Sequence, residues 1–278
     1  MKFYRYFILI LLASGLAACE QSNDTTTAAG AEKSEPVSSK PLSLEIQYSI
    51  EEPDLEPYIS RVIMTDDFMR IDEGEGSTSF VLFDRKKKVV YSVASDNDAI
   101  LIVNERKIPD ESPVPITDSV REVKDDNIPT IDNKKAVQYF FDTNGVNCYQ
   151  AFIVAGFLPR AVETYKEYRR ILAGDHAFTM SNVPADVLEP CDLSMNVFSS
   201  TRLFDKGLPI HERGPHGFVK TLLSYNEEYK PAAALFELPK DYGRFTIDDM
   251  RQMLTPPASE PGVDSLLQEV IPDTAPAQ

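Results

Sequence analysis

The side chains in this 278-residue chain with chemistry to offer are three histidines, several groups of carboxylates and three cysteines. His211 and His216 flank Gly214-Pro215, a turn-like placement from which imidazoles can bind metal or act as a general base. Their spacing matches no zinc-binding helix, and no Gly-x-Ser-x-Gly elbow accompanies them. They read as surface or hydrogen-bonded histidines, as does His176, which stands alone on a predicted helix. Carboxylates recur at Asp66-Asp67, at Asp72 with Glu73 and Glu75, at Asp96 with Asp98, at Asp125-Asp126 and at Asp248-Asp249. None has the ligand spacing and central glycine of a calcium loop. No pair is set apart as an acid and its base, so these groups read as a solvated face. The expectation is a protein without catalytic residues, metal site or cofactor.

The cysteines say more. Cys19 follows Lys2, Arg5, the apolar run Phe7-Ile-Leu-Ile-Leu-Leu-Ala-Ser-Gly and then Leu16-Ala17-Ala18. A positive start, a short apolar core and small residues make a secretion signal, too short to span a bilayer. Leu16-Ala17-Ala18-Cys19 resembles the lipobox of bacterial lipoproteins. The resemblance implies cleavage before Cys19, a diacylglycerol thioether on its sulfur and an acyl chain on the new N-terminus, the two-signal attachment that stable anchoring requires. The alternative is an ordinary signal peptide with a chance cysteine. Glu20 stands where an aspartate is associated with inner-membrane retention. That points to the periplasmic face of the outer membrane, with the inner membrane as the alternative.

Once Cys19 is consumed by lipid, Cys148 and Cys191 remain. An even remainder in an oxidising compartment implies one disulfide. Two buried thiols are the alternative.

The formal charge of −16 becomes about −18 when Lys2 and Arg5 leave with residues 1–18. Such a surface repels nucleic acid and anionic head groups. Residues 20–41, rich in Ser, Thr, Ala, Glu and Asp, cannot bury enough surface to offset chain entropy. With Cys19 they form a lipidated tether. Residues 255–278, with Pro256, Pro257, Pro261, Pro272 and Pro276, read as a disordered tail. One β-rich domain, 42–254, lies between.

Leu44, Ile46, Tyr48 and Ile50 alternate with polar residues, as on a strand with one buried face. Strands are expected at 58–65, 67–72, 77–84, 89–93, 99–104, 134–142 and 147–155. Asn144-Gly145 makes a hairpin turn, and the prolines at 109, 113 and 115 mark a long loop. A helical insertion spans about 158–200, opened by Pro159. Strands return at 207–213, 217–225 and 230–238, and Thr246-Ile-Asp-Asp resembles a capping box before a last helix. Short strands joined by tight turns imply an antiparallel meander. Phe80–Phe83 and Ile100–Val103 are apolar at every position, so these strands are expected to be central and covered on both sides, the helical insertion supplying one cover. The basic run Arg85 to Lys88 reads as a solubilised hairpin tip or a grip for an acidic partner.

Phe68-Met-Arg-Ile-Asp, Phe80-Val-Leu-Phe-Asp-Arg-Lys-Lys-Lys-Val-Val-Tyr-Ser-Val and Leu235-Phe-Glu-Leu-Pro-Lys-Asp-Tyr are similar to strands of the periplasmic lipoprotein-carrier and receptor superfamily. The likeness covers about 44–106 and 207–245. It implies an α+β fold: a curved antiparallel sheet, or half-barrel, with the helical insertion packed on one face. It also implies an acyl-chain cavity, whose candidate walls are Phe80, Leu82, Tyr91, Ile100, Ile102, Tyr139, Phe152 and Phe236. The function expected is then a non-enzymatic, membrane-tethered protein that binds a hydrophobic ligand, a lipoprotein or an envelope component. A closed-core interaction module is the second reading, and a periplasmic hydrolase the third.

Overall fold

The computed structural model of this chain describes residues 40–123, 128 and 130–254. The signal segment, Cys19, the tether as far as residue 39 and the 255–278 tail lie outside the described residues.

Six strands run as an antiparallel meander: β1 (Ser43–Glu51), β2 (Tyr58–Thr65), β3 (Phe68–Asp72), β4 (Phe80–Asp84), β5 (Val89–Ala94) and β6 (Ala99–Asn104). After β7 (Asp118–Val123), the small β8–β9 hairpin (Thr130–Ile131, Lys134–Lys135) precedes β10 (Val137–Thr143) and β11 (Val146–Val154). Helix α1 (Pro159–Met180) and short α2 (Pro190–Leu193), which runs into a π turn at Ser194–Phe198, form the helical segment. Strands β12 (Leu208–Arg213), β13 (Val219–Asn226) and β14 (Gly243–Thr246) and helix α3 (Ile247–Leu254) follow.

Twelve strands join one sheet in the order β14-β6-β5-β4-β3-β2-β1-β13-β12-β11-β10-β7. This corrects the expected architecture. The sheet is mixed, because β14 runs parallel to β6, and it is open rather than closed into a barrel, with β14 and β7 at its two edges. The helical insertion is small beside it. The antiparallel expectation came from hairpin turns, which report only on neighbours in sequence. Strand β14 reaches β6 from more than a hundred residues away, and no turn signal encodes that pairing.

Other elements follow their local chemistry. Asn144 and Gly145 both have positive φ, 53° and 79°, the backbone of a two-residue type I′ turn. Thr246 and Asp249 cap α3 reciprocally: the Thr246 Oγ1 accepts from the Asp249 N–H at 3.2 Å, and the Asp249 carboxylate accepts from the Thr246 N–H at 2.7 Å. In α1, a Cβ at Gly174 would stand 2.3 Å from the Arg106 carbonyl oxygen, so only glycine lets the helix lie this close to the chain after β6.

Three expectations fail locally. Strand β7 forms between the proline-marked loop and residue 134, where no strand was expected. Residues 230–238 are not a strand: between Pro231 and Pro239 they make a 3₁₀ turn at Ala233–Phe236, because prolines at both ends remove ladder donors. The two doubly apolar strands are not central either, since β6 lies next to the β14 edge and β4 two strands further in.

Both faces of those strands are nonetheless covered. Leu44, Ile46, Tyr48 and Ile50 are buried on the face that α1 covers, together with Phe83, Val90 and Val103, in one core that includes Val162, Tyr165 and Ile171 of the helix. Helix α1 packs against β5, β6 and β12. On the opposite face Phe80, Leu82, Val93 and Ile100 form a second, smaller core under residues 236–242.

Candidate functional site

Six of the eight candidate wall residues come together. Phe80, Leu82 and Ile100 are buried, and Tyr91 and Ile102 pack beside them with Phe236. Strand parity explains this: Leu82 lies opposite Tyr91, and Tyr91 opposite Ile102, in one row across β4, β5 and β6. The chain itself closes this face. Phe236, Leu238 and Tyr242 lie over it, and the Phe236 ring stacks on Phe68 with centroids 5.3 Å apart and planes 14° from parallel. The other two candidates lie elsewhere. Tyr139 on β10 and Phe152 on β11 both pack against the main core, and Phe152 also lines a small cavity with Gln138, Gln150, Ala151, His211 and Arg213.

The covering segment is held by a charged group built on Asp72, which was expected on a solvated face and is instead enclosed, because two guanidiniums replace its water. Arg70 donates from Nη1 to the Leu235 carbonyl at 2.7 Å and from Nε to Asp72 at 2.6 Å, with its guanidinium 3.7 Å from the Phe80 ring centre. Asp72 is fully enclosed and also accepts from Arg61 Nε and Nη2 at 2.8 and 2.9 Å. One carboxylate thus sits between two guanidiniums, with the Gly74 N–H as a further donor at 3.0 Å. An open groove of about 540 Å³ runs beside this clasp, lined by Arg70, Phe80, Leu235, Leu238 and Pro239 among others.

A second buried polar cluster lies under α1. The Lys220 ammonium faces the Glu212 carboxylate at 3.1 Å across β13 and β12. It also stands 4.2 Å from the centre of the Tyr48 ring. Glu212 accepts from the Tyr149 hydroxyl at 2.8 Å, while its Oε1 meets Lys220 without hydrogen-bond alignment. Burial pushes the Lys220 ammonium down, but its attraction to Glu212, aided by Tyr165, outweighs this and holds it above its ordinary value. Burial, with the charge of Glu212, drives the Tyr149 hydroxyl up. Arg169 ties α1 to the following turn by donating to the Met195 carbonyl at 2.6 Å and to Asn196 at 2.9 Å.

Cys148 and Cys191 form a disulfide with Cα atoms 5.4 Å apart, fastening β11 to α2. Nearby, Asp118 accepts from Ser194, Ser199 and Thr143 at 2.6–2.8 Å and meets Arg202 at 2.8 Å. Burial alone would raise the Asp118 carboxyl, but these hydroxyls and the Arg202 charge outweigh it and set it below the usual value.

The histidines are engaged structurally. His176 bonds Asp192 at 2.7 Å. His211 Nδ1 meets Thr221 Oγ1 at 2.9 Å, and its Nε2 lies 3.2 Å from the donating Nε of Arg213. Accepting at Nε2 places the proton on Nδ1, so the neutral ring has no lone pair left for a metal. Burial, and then the charge of Arg213, lowers its proton affinity further. His216 is exposed in a turn with φ 56°. Among the described residues no group of three or more His, Cys, Asp or Glu side chains is placed to hold a metal ion. None of their helices is long and apolar enough to cross a membrane. In the basic run, Arg85 pairs with Glu167, Lys86 with Asp67, Lys87 with Asp84 and Lys88 with Glu105.

The sequence held one signal for the residues missed. Arg70 and Asp72 are two apart on one strand, and Glu212 and Lys220 interrupt apolar parity on theirs. A charge at an inward-facing strand position implies a partner inside, because an unpaired buried charge is too costly to keep.

No family model matches the chain, and no curated protein matches it. Solved structures give distant likenesses. An uncharacterised conserved protein from Thermus thermophilus is 10% identical, with 74% of this chain and 90% of that one covered and a TM-score of 0.38. The structure of PNGF-II is also 10% identical, over 77% of this chain and 32% of that one, with a TM-score of 0.36.

Proposed function

We propose that this chain is a lipoprotein, anchored through Cys19 and facing the periplasm, that acts as a non-enzymatic interaction module of the cell envelope. The observation that supports this reading over an acyl-chain carrier is the filling of the apolar face: Phe236, Leu238 and Tyr242 occupy the place an acyl chain would take against Phe80, Leu82 and Ile100. A site already satisfied by its own side chains gains little from a ligand. The lipobox supports the anchor, and the outer membrane follows from Glu20 by the same resemblance. The groove beside the Arg70 clasp favours a second reading, a hydrophobic ligand held where Phe80 and Leu238 meet its wall.

Native mass spectrometry of the full chain purified from a Gram-negative envelope separates the two. The module reading expects the covalent lipid mass on Cys19 and no further retained lipid. A non-covalent acyl ligand would establish the second reading instead. A Cys19→Ser chain should lose the covalent mass and its membrane association, and a wild-type chain without that mass would remove the anchor.

A further inference from the structure

We propose that the uncovered half of the sheet binds an acidic saccharide, with Arg213 receiving its carboxylate and Phe152 its ring. Strand register builds the surface. Arg121, Phe140, Gln150 and Arg213 lie opposite one another across β7, β10, β11 and β12. Val123, Gln138, Phe152, His211 and Thr221 form the adjacent row, which extends onto β13. Residues two apart on a strand share a face, so the rows are side by side. Glu212 and Lys220, their immediate neighbours in sequence, point the other way into the core under α1. The two rows therefore face away from the helix.

In a chain carrying −16, the two rows as far as β12 and β13 hold two arginines and no carboxylate; the first row then continues through Val219 to Glu51, whose charge reaches His211. Arg121 already meets Asp142 at 3.5 Å. Arg213 uses Nε on His211, and its two Nη groups meet no partner among the described residues. The Gln138 amide is equally without a partner among them. A cavity of about 130 Å³ lies between these groups, lined by Gln138, Gln150, Phe152, His211 and Arg213. His211 is fixed by Thr221 and Arg213, and its ring lies 5.8 Å from that of Phe152, so the wall is preorganised.

These groups select a ligand class. Primary amides both donate and accept, as sugar hydroxyls do. An aromatic ring offers an apolar face to the C–H side of a pyranose. A guanidinium with a free pair of Nη donors matches a carboxylate as a planar fork. The Gln150 amide already donates to Asn147 at 3.0 Å, but an acyl chain would leave the Gln138 amide and the Arg213 Nη groups without partners, and nucleic acid, a dense polyanion, is repelled by the net charge.

The test uses the full-length chain in detergent with three probes, read by calorimetry and ligand-observed NMR. N-acetylmuramic acid carries ring and carboxylate, N-acetylglucosamine the same ring without the lactyl acid, and lactate the acid without the ring. The acidic sugar should bind about tenfold more tightly than the neutral one, the worth of a hydrogen bond to a charged group, and lactate should not bind measurably. Arg213→Gln should erase the difference between the two sugars while leaving the unfolding curve unchanged, since Arg213 is exposed. Phe152→Leu, which keeps the apolar bulk and removes the aromatic face, should weaken both sugars. Equal binding of the two sugars, lactate binding as well as the acidic sugar, an Arg213→Gln chain that keeps the preference, or no binding at all would each overturn the proposal. None of these outcomes bears on Cys19, so the anchor reading stands or falls separately.

Discussion

Glu212 and Lys220 lie directly opposite each other on β12 and β13, with carboxylate and ammonium 3.1 Å apart beneath α1. The pair holds two charges out of water among Tyr48, Tyr149 and Tyr165, with the buried Arg169 guanidinium as a third charge within reach. Burying both charges costs several kcal/mol per ion, which their mutual attraction and the Tyr149 hydroxyl offset.

Removing one partner should therefore cost more than removing both. Glu212→Ala is expected to destabilise by about 3 kcal/mol, leaving Lys220 uncompensated, whereas Glu212→Leu with Lys220→Met should be close to neutral. Tyr149→Phe, which removes one donor to Glu212, should cost about 1 kcal/mol. Urea unfolding of the three variants checks the order. A double variant less stable than Glu212→Ala would show that the pair stabilises by more than mutual compensation.

Asp118 predicts a pH dependence. Its folded carboxyl is held below its unfolded value by Ser199, Ser194, Thr143 and Arg202. A depressed carboxyl contributes stability that is fully present above the unfolded value, about pH 4, and is lost as pH falls through the lowered folded value. Asp118→Asn should be less stable than wild type at pH 7, with the gap closing below about pH 4. Chemical denaturation at both pH values measures this, and a gap that does not vary with pH would remove the carboxylate as its source.

The Cys148–Cys191 disulfide, spanning 43 residues, should stabilise the fold by about 4 kcal/mol in the chain-entropy account. Thiol titration of the denatured, unreduced domain should find neither cysteine free. Cys191→Ser should lower the urea midpoint and loosen α2 first, with faster amide exchange at residues 190–198 than in the meander.

Phe236 tests the closed face. Phe236→Ala removes the ring stacked on Phe68 and should cost roughly 2 kcal/mol, below the range for a fully buried phenylalanine. It should also expose Phe80 and Leu82, so an environment-sensitive dye that ignores the wild-type protein should bind the variant while it is still folded. Strong dye binding by the wild type would mean that the face is open without any substitution.

Much of this molecule was legible locally. The alternation through Leu44–Ile50, the turn at Asn144-Gly145, the cap at Thr246 and the boundaries of β2 and β6 all rest on interactions within a few residues, where φ/ψ preference and side-chain parity act directly. The parity of the cysteines, once Cys19 was set aside, pointed to Cys148 and Cys191, and five of the eight wall candidates met because strand parity carries across neighbouring hairpins. What the tertiary structure alone decided is non-local. Gly243 pairs with Ala99, Phe236 settles on Phe68, Arg70 reaches Leu235, and the row from Arg121 to Arg213 crosses four strands that are far apart along the chain. Turn chemistry cannot specify such pairings, because their free energy is shared among register, loop closure and the burial of groups distant in sequence. The apolar face was therefore visible in the sequence, and the chain's own cover over it was not.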